Sequence, residues 1–99
     1  MVERVTTHLL LVLKAMEQLS AEGEAIYGYQ ITERSGVHKV TVYRILNRLE
    51  TEGLISYTEK SIKIARHRNG PPRRYIHFTA KGEQFLQKLA PRLQNTQLD

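Results

Sequence analysis

The sequence predicts an α+β fold, mainly α, with three N-terminal helices, a two-stranded β hairpin and a closing C-terminal helix. Three observations carry that prediction. Val42, Ile45, Leu46 and Leu49 recur at helical spacing in a segment whose other face is polar and basic, and the segment stops at Gly53. Leu54–Thr58 and Arg73–Phe78 are short strand-like runs, separated by a stretch that ends in Asn69-Gly70-Pro71-Pro72, which cannot continue a strand. Phe85, Leu86, Leu89 and Leu93 then return to helical spacing.

Taken in order, the first helix is expected over about 6–20, capped by Thr6 or Thr7. Its apolar residues Leu9, Leu10, Val12, Leu13, Met16 and Leu19 cover more than one face, which implies a packing partner beyond the chain's own core. Two helices joined by a tight link are expected over about 26–52. The first contains Tyr27-Gly28-Tyr29-Gln30-Ile31 and closes near Ser35-Gly36, where glycine can take the left-handed conformation that ends helices. Such a pair is a helix-turn-helix, whose second helix reads the DNA major groove. His38 and Lys39 are poor N-caps, so the start of that helix is not defined to within several residues, and His38 is open to a phosphate contact instead.

Placed at about 100° per residue, Val40, Arg44, Asn47 and Thr51 centre on the outward face of the second helix, with Thr41 and Arg48 on one flank and Tyr43 on the other. Arg, Asn, Thr and Tyr are side chains that reach guanine, adenine and phosphate oxygens from an inserted helix. An ordinary solvated face has a similar composition, so the context decides between the two readings.

The hairpin, 54–78, carries Lys60, Lys63, Arg66, His67 and Arg68 between its strands. Ile62 and Ile64 alternate with polar neighbours, so the first strand is open to extension beyond Thr58. A basic hairpin directly after a groove-reading helix is a wing, suited to the phosphate backbone or the adjacent minor groove. The architecture expected for residues 1–99 is therefore one winged helix-turn-helix domain. Its last helix, about 79–93, is opened by Thr79-Ala80-Lys81-Gly82 and interrupted at Pro91, and Gln94–Asp99 is expected to fray. That helix either finishes the core or packs with the first helix against a second copy. Homodimerisation through these two helices is the expectation, because operators are commonly read by symmetric dimers.

Charge supports a nucleic-acid partner. The 99 residues include 15 Lys and Arg against 10 Asp and Glu, a net +5, and the isoelectric point near 9.7 is in the range of nucleic-acid-binding domains. Between Lys39 and Arg74 nine basic residues face three acidic ones, a balance of +6, whereas the rest of the chain sums to −1. The excess sits where it can displace counterions from a phosphate backbone. A membrane-surface role would instead use a basic amphipathic helix with apolar anchors.

Other classes find little in the sequence. There is no cysteine, hence no disulfide framework and no thiolate metal site. Leu9–Leu13 is too short for a membrane span and runs into Lys14 and Glu17, so a soluble, cytoplasmic protein is expected. His8, His38, His67 and His77 form no i, i+4 ligand pair, and Glu22 and Glu24 read as a solvated turn. The six glycines sit at element boundaries and not in a phosphate-cradling loop, and no nucleophile motif is present. No enzyme activity, cofactor or metal is expected, and no small-molecule effector is assigned. Tyr27, Tyr29 and Tyr57 read as core tyrosines more readily than as pocket linings.

The chain resembles the PadR-like family of winged-helix transcriptional regulators over most of its length. The matching pieces are Tyr27-Gly28-Tyr29-Gln30-Ile31; Thr41-Val42-Tyr43-Arg44-Ile45-Leu46-Asn47-Arg48-Leu49-Glu50 followed by Gly53-Leu54-Ile55; Gly70-Pro71-Pro72-Arg73-Arg74-Tyr75; and Phe78-Thr79-Ala80-Lys81-Gly82. The resemblance implies a dimeric bacterial regulator, usually a repressor, with Tyr43 of the Thr-x-Tyr motif close to DNA. Many family members carry in the C-terminal helix an aromatic that stacks on planar effectors; here the chain has no tryptophan and that helix has Phe85 alone.

The expected DNA-binding set is Lys39, Thr41, Tyr43, Arg44, Asn47 and Arg48 on the helix, with Lys63, Arg66, Arg68, Arg73 and Arg74 on the wing. Arg44, Asn47 and Tyr43 approach base edges or the sugar-phosphate edge, Lys39 and Arg48 hold phosphates, and the wing arginines clamp the backbone. The alternatives are an architectural or mobile-element accessory DNA binder, separable by the character of neighbouring genes, and a winged-helix protein-interaction module. The latter would want apolar anchors at the centre of its face.

Overall fold

The computed structural model describes residues 5–23, 25–59 and 74–98. In chain order they form α1 (Thr7–Ala21), α2 (Gly28–Ser35), α3 (Lys39–Thr51), β1 (Ile55–Glu59), β2 (Arg74–Phe78) and α4 (Ala80–Gln94). This is a winged-helix arrangement of four helices and a two-stranded antiparallel sheet. The tip of the hairpin, including Ile62, Ile64 and the Asn69–Pro72 turn, lies outside the described residues.

α1 begins where Thr6 Oγ1 accepts the Leu9 amide at 3.1 Å, satisfying one donor that a helix start leaves without a partner. Leu9, Val12, Leu13, Ala15, Met16 and Leu19 are all buried. They belong to a single apolar cluster because α1 touches α2, α3 and α4 at once. The breadth of its stripe, expected to require a second partner, is thus accounted for within the chain; Leu10 and Leu11 are half-buried and pack against the same cluster.

α2 starts with the Gln30 side chain accepting the Tyr27 amide at 3.0 Å and stops at Gly36, whose φ of +73° is the left-handed conformation expected there. Ser35 Oγ then accepts the Val37 amide at 3.1 Å, so the two buried residues of the link to α3 satisfy each other's polar groups. His38, expected to be a poor cap, is the N-cap of α3: its Nδ1 accepts the Val40 amide at 3.2 Å. An imidazole nitrogen can serve there because, like the usual oxygen, it offers an in-plane lone pair at the right reach. Val42, Leu46 and Leu49 are buried and Ile45 is half-buried against the core, as the stripe predicts. α3 closes in a Schellman turn, with the Leu54 amide donating to Leu49 O and the Gly53 amide to Glu50 O, both at 2.9 Å, and Gly53 at φ +76°.

β1 and β2 pair antiparallel from Ile55 opposite Phe78 to Glu59 opposite Arg74. The period of two sends Ile55, Tyr57, Ile76 and Phe78 toward the core, leaving Ser56, Thr58, Tyr75 and His77 on the other face. A long-range bridge that the sequence did not disclose joins Ile26 to Ile76, with the Ile76 amide donating to Ile26 O at 2.8 Å. It ties the entrance to α2 to the free edge of β2.

α4 is capped by Thr79, whose Oγ1 accepts the Gly82 amide at 3.1 Å. Pro91 does not interrupt it: the helix runs on to Gln94. Pro91 and Gln87, four residues before it, are exposed, so the carbonyl that loses its partner can be hydrated, and burial of Leu93 holds the last turn. Nor does the following segment simply fray. The Thr96 amide donates to Leu93 O, Thr96 Oγ1 donates to Arg92 O, and Leu98 packs on the core.

Candidate nucleic-acid interface

Because the stripe of α3 is buried, the opposite side is presented outward by a helix fixed at both ends. Lys39, Tyr43, Arg44, Asn47 and Arg48 are exposed, and Thr41 is half-buried on the flank. Among the described residues no carboxylate is within ion-pair distance of Lys39, Arg44 or Arg48; an ion pair from Arg34 to Glu22 at 2.5 Å ties α2 to the end of α1. Lys39 and Arg44 are therefore available to an external anion, while Arg48 stands in the field of the Glu52 carboxylate one turn on. Of the wing set, Lys63, Arg66, Arg68 and Arg73 lie outside the described residues, and for Arg74 the backbone alone is described, opposite Glu59 at the end of β2. α3 thus brings six of the eleven expected residues onto one element.

One further residue, Val40, belongs to this face. Val40, the second residue of α3, is 58% exposed, and Tyr43, one turn on, is 45% exposed. The Tyr43 ring lies over the start of α2: a methyl built on Gly28 would stand 2.5 Å from Tyr43 Oη and 2.7 Å from two ring carbons. Gly28 therefore makes room for the tyrosine. The sequence places Gly28 at a helix boundary but cannot show that a residue fifteen positions later needs its missing side chain. Tyr43, Asn47 and Glu50 line one wall of a groove closed by Gly28, Tyr57 and Ile76.

The three tyrosines read as core residues divide. Tyr27 and Tyr57 are half-buried, but Tyr29 is 51% exposed, corrected because it falls on the outer side of α2 while Ile31 takes the inward position. Tyr27 stacks on Tyr29 with centroids 6.0 Å apart and meets Tyr75 edge-on at 6.5 Å, joining α2 to the outer face of the sheet. On that face Thr58 Oγ1 and Ser56 Oγ stand 2.7 and 3.2 Å from His77 Nε2. His77 is thus engaged by cross-strand hydroxyls.

The far end of α3 is held from α4. Thr79 Oγ1 donates to Gly53 O at 2.6 Å, the Thr79 amide to Leu54 O at 3.1 Å, and Lys81 Nζ to Glu52 O at 3.0 Å. Gly82 approaches so closely that a methyl there would stand 1.9 Å from Leu54 O. The cation of Lys81 also complements the negative end of the α3 dipole.

Among the described residues no group of three or more His, Asp or Glu side chains is placed to hold a metal ion, and no helix is long and apolar enough to cross a membrane. No curated protein matches the chain. The family model of the PadR-like transcriptional regulators, however, matches residues 12–88, from the middle of α1 to the middle of α4 and across the helix pair and hairpin. With that span and the winged-helix arrangement together, the chain belongs to the PadR-like family of transcriptional regulators.

Proposed function

We propose that the protein is a repressor that binds a specific operator as a homodimer, acting in the cytoplasm by binding and not by catalysis, with residues 1–99 as one domain. α3 enters the major groove. Arg44, Asn47 and Tyr43 approach base edges or the sugar-phosphate edge, Lys39 and Arg48 hold phosphates, and Thr41 adds a flank contact. Lys63, Arg66, Arg68, Arg73 and Arg74 follow the backbone from the wing. The observation that carries this reading is the exposed basic face of α3, mounted on a buried stripe and clamped at its end by α4. Dimerisation through α1 and α4 would give two such helices a symmetric spacing.

The test is binding of the purified protein to DNA from upstream of its own gene and to a scrambled fragment of equal length, by anisotropy across a salt series. A repressor binds its own DNA tighter by about 10³ or more, with a steep salt slope on both fragments. Equal affinities favour an architectural binder, and no binding at low salt overturns the DNA reading in favour of a protein-interaction module. Sedimentation equilibrium at the same concentrations should give twice the chain mass of 11.5 kDa; the single chain mass on DNA and off it would remove the dimer.

A further inference from the structure

Three large hydrophobic side chains are exposed among the described residues, Tyr29, Val40 and Tyr43, and all three lie on α2 and α3. Val40 is the most exposed of them at 58% and packs on nothing in the apolar cluster. It stands about 200° around α3 from Val42, so no rotation of the helix serves both the core stripe and Val40. Its position is nevertheless rigid. The Val40 amide is tied to His38 Nδ1, and a valine in a helix occupies one χ1 rotamer about nine times in ten, so its two methyl groups point in a set direction.

Its neighbours say what such a rigid apolar knob meets. Val40, Arg44, Asn47 and Thr51 form one line along the outward face, with Lys39 and Tyr43 beside its start. The line begins at the N-terminal turn, the part of an inserted helix that reaches base edges. Of the groups a base pair presents in the major groove, the apolar one is the C5-methyl of thymine. We infer that Val40 is a specificity-determining residue that reads a thymine methyl group in the major groove, one in each half-site. The inference rests on α3 entering that groove, and it adds an apolar contact to a face otherwise made of hydrogen-bonding and charged groups.

The experiment starts from duplexes selected by the wild-type protein from a random-sequence library. Each thymine of the selected site is replaced in turn by deoxyuridine, which removes the methyl group and leaves the base pairing intact. At one position per half-site the wild type is expected to lose about fourfold in affinity, the effect of one buried methyl-sized group, and Val40→Ala is expected to show no loss there. Unselected DNA at low salt should bind both proteins equally, and Val40→Ala should melt no lower than the wild type, since Val40 takes no part in the core and alanine is the better helix former. If every deoxyuridine substitution affects the two proteins alike, or if the selected site contains no required thymine, the inference is overturned while groove binding by α3 stands. If the wild type selects no sequence and binds no duplex, the groove reading itself fails and the inference with it.

Discussion

Gly28 and Gly82 both lack a side chain that their surroundings would refuse, but what refuses it differs. At Gly28 the obstacle is the ring of Tyr43, the far end of a side chain that can turn away. Gly28→Ala should therefore leave the melting temperature nearly unchanged, with the helix-propensity gain of up to about 1 kcal/mol offsetting the displaced ring. DNA affinity should fall by about tenfold as Tyr43 loses its place, an effect within the range of one base-edge contact. An unchanged affinity would separate Tyr43 from DNA. At Gly82 the obstacle is the carbonyl of Leu54, part of the backbone. Gly82→Ala should cost about 3 kcal/mol by overpacking, read from a urea titration.

The division of labour among the cations is also decided residue by residue. Arg44→Ala should cost roughly 1–3 kcal/mol on the selected site and relax preference at one position. Arg66→Ala, in the basic stretch of the wing, should weaken all sequences alike and lower the salt slope by about one. Equal behaviour of the two variants would remove the distinction between base reading and backbone clamping.

α3 is useful as an element because both of its ends are held. His38 and the Ser35–Val37 hydrogen bond set the beginning, and the first turn of α4 grips the Glu52-Gly53-Leu54 turn at the end. Thr79 serves two elements with one hydroxyl, accepting from the Gly82 amide and donating to Gly53 O. Thr79→Ala removes the cap and that bond together and should destabilise the protein by about 2 kcal/mol. Hydrogen exchange at Leu54 and Gly53 should accelerate in the variant; exchange confined to α4 would show that the grip on α3 is not carried by Thr79. The two-stranded sheet is similarly not left to itself. The Ile26–Ile76 bridge and the Tyr27–Tyr75 contact attach it to the start of α2, which matters because a lone hairpin is marginal in water.

For the molecule as a whole, one apolar cluster around α1 supports α3 and the two strands, and the excess positive charge falls in the sequence from Lys39 to Arg74 and not in the rest of the chain. Much of this was legible in the chain. The outward face of α3 could be listed residue by residue from its period, and Thr6, Gly36, Gly53 and Thr79 marked helix ends, because spacing and capping act over a few residues. Those local rules also misjudged several places, among them His38, which does cap α3, and the segment after Gln94, which Thr96 and Leu98 hold. The stripe of α1 was too broad for one neighbour, and only the packing showed three helices around it. Pro91 has the residue type of a helix breaker, yet its place on the exposed side and the buried Leu93 beyond it keep the helix whole. Tyr29 has the residue type of a core tyrosine, but the turn of α2 carries it outward.

By itself, the sequence determined the order of elements, the helix that faces outward and the charge it carries, since these depend on periodicity, turn chemistry and composition read along the chain. The tertiary structure alone decided that Gly28 seats Tyr43, that Gly82 meets Leu54 and that Ile26 joins Ile76. Each of these is a relation between residues that only folding brings together, and no local rule encodes it.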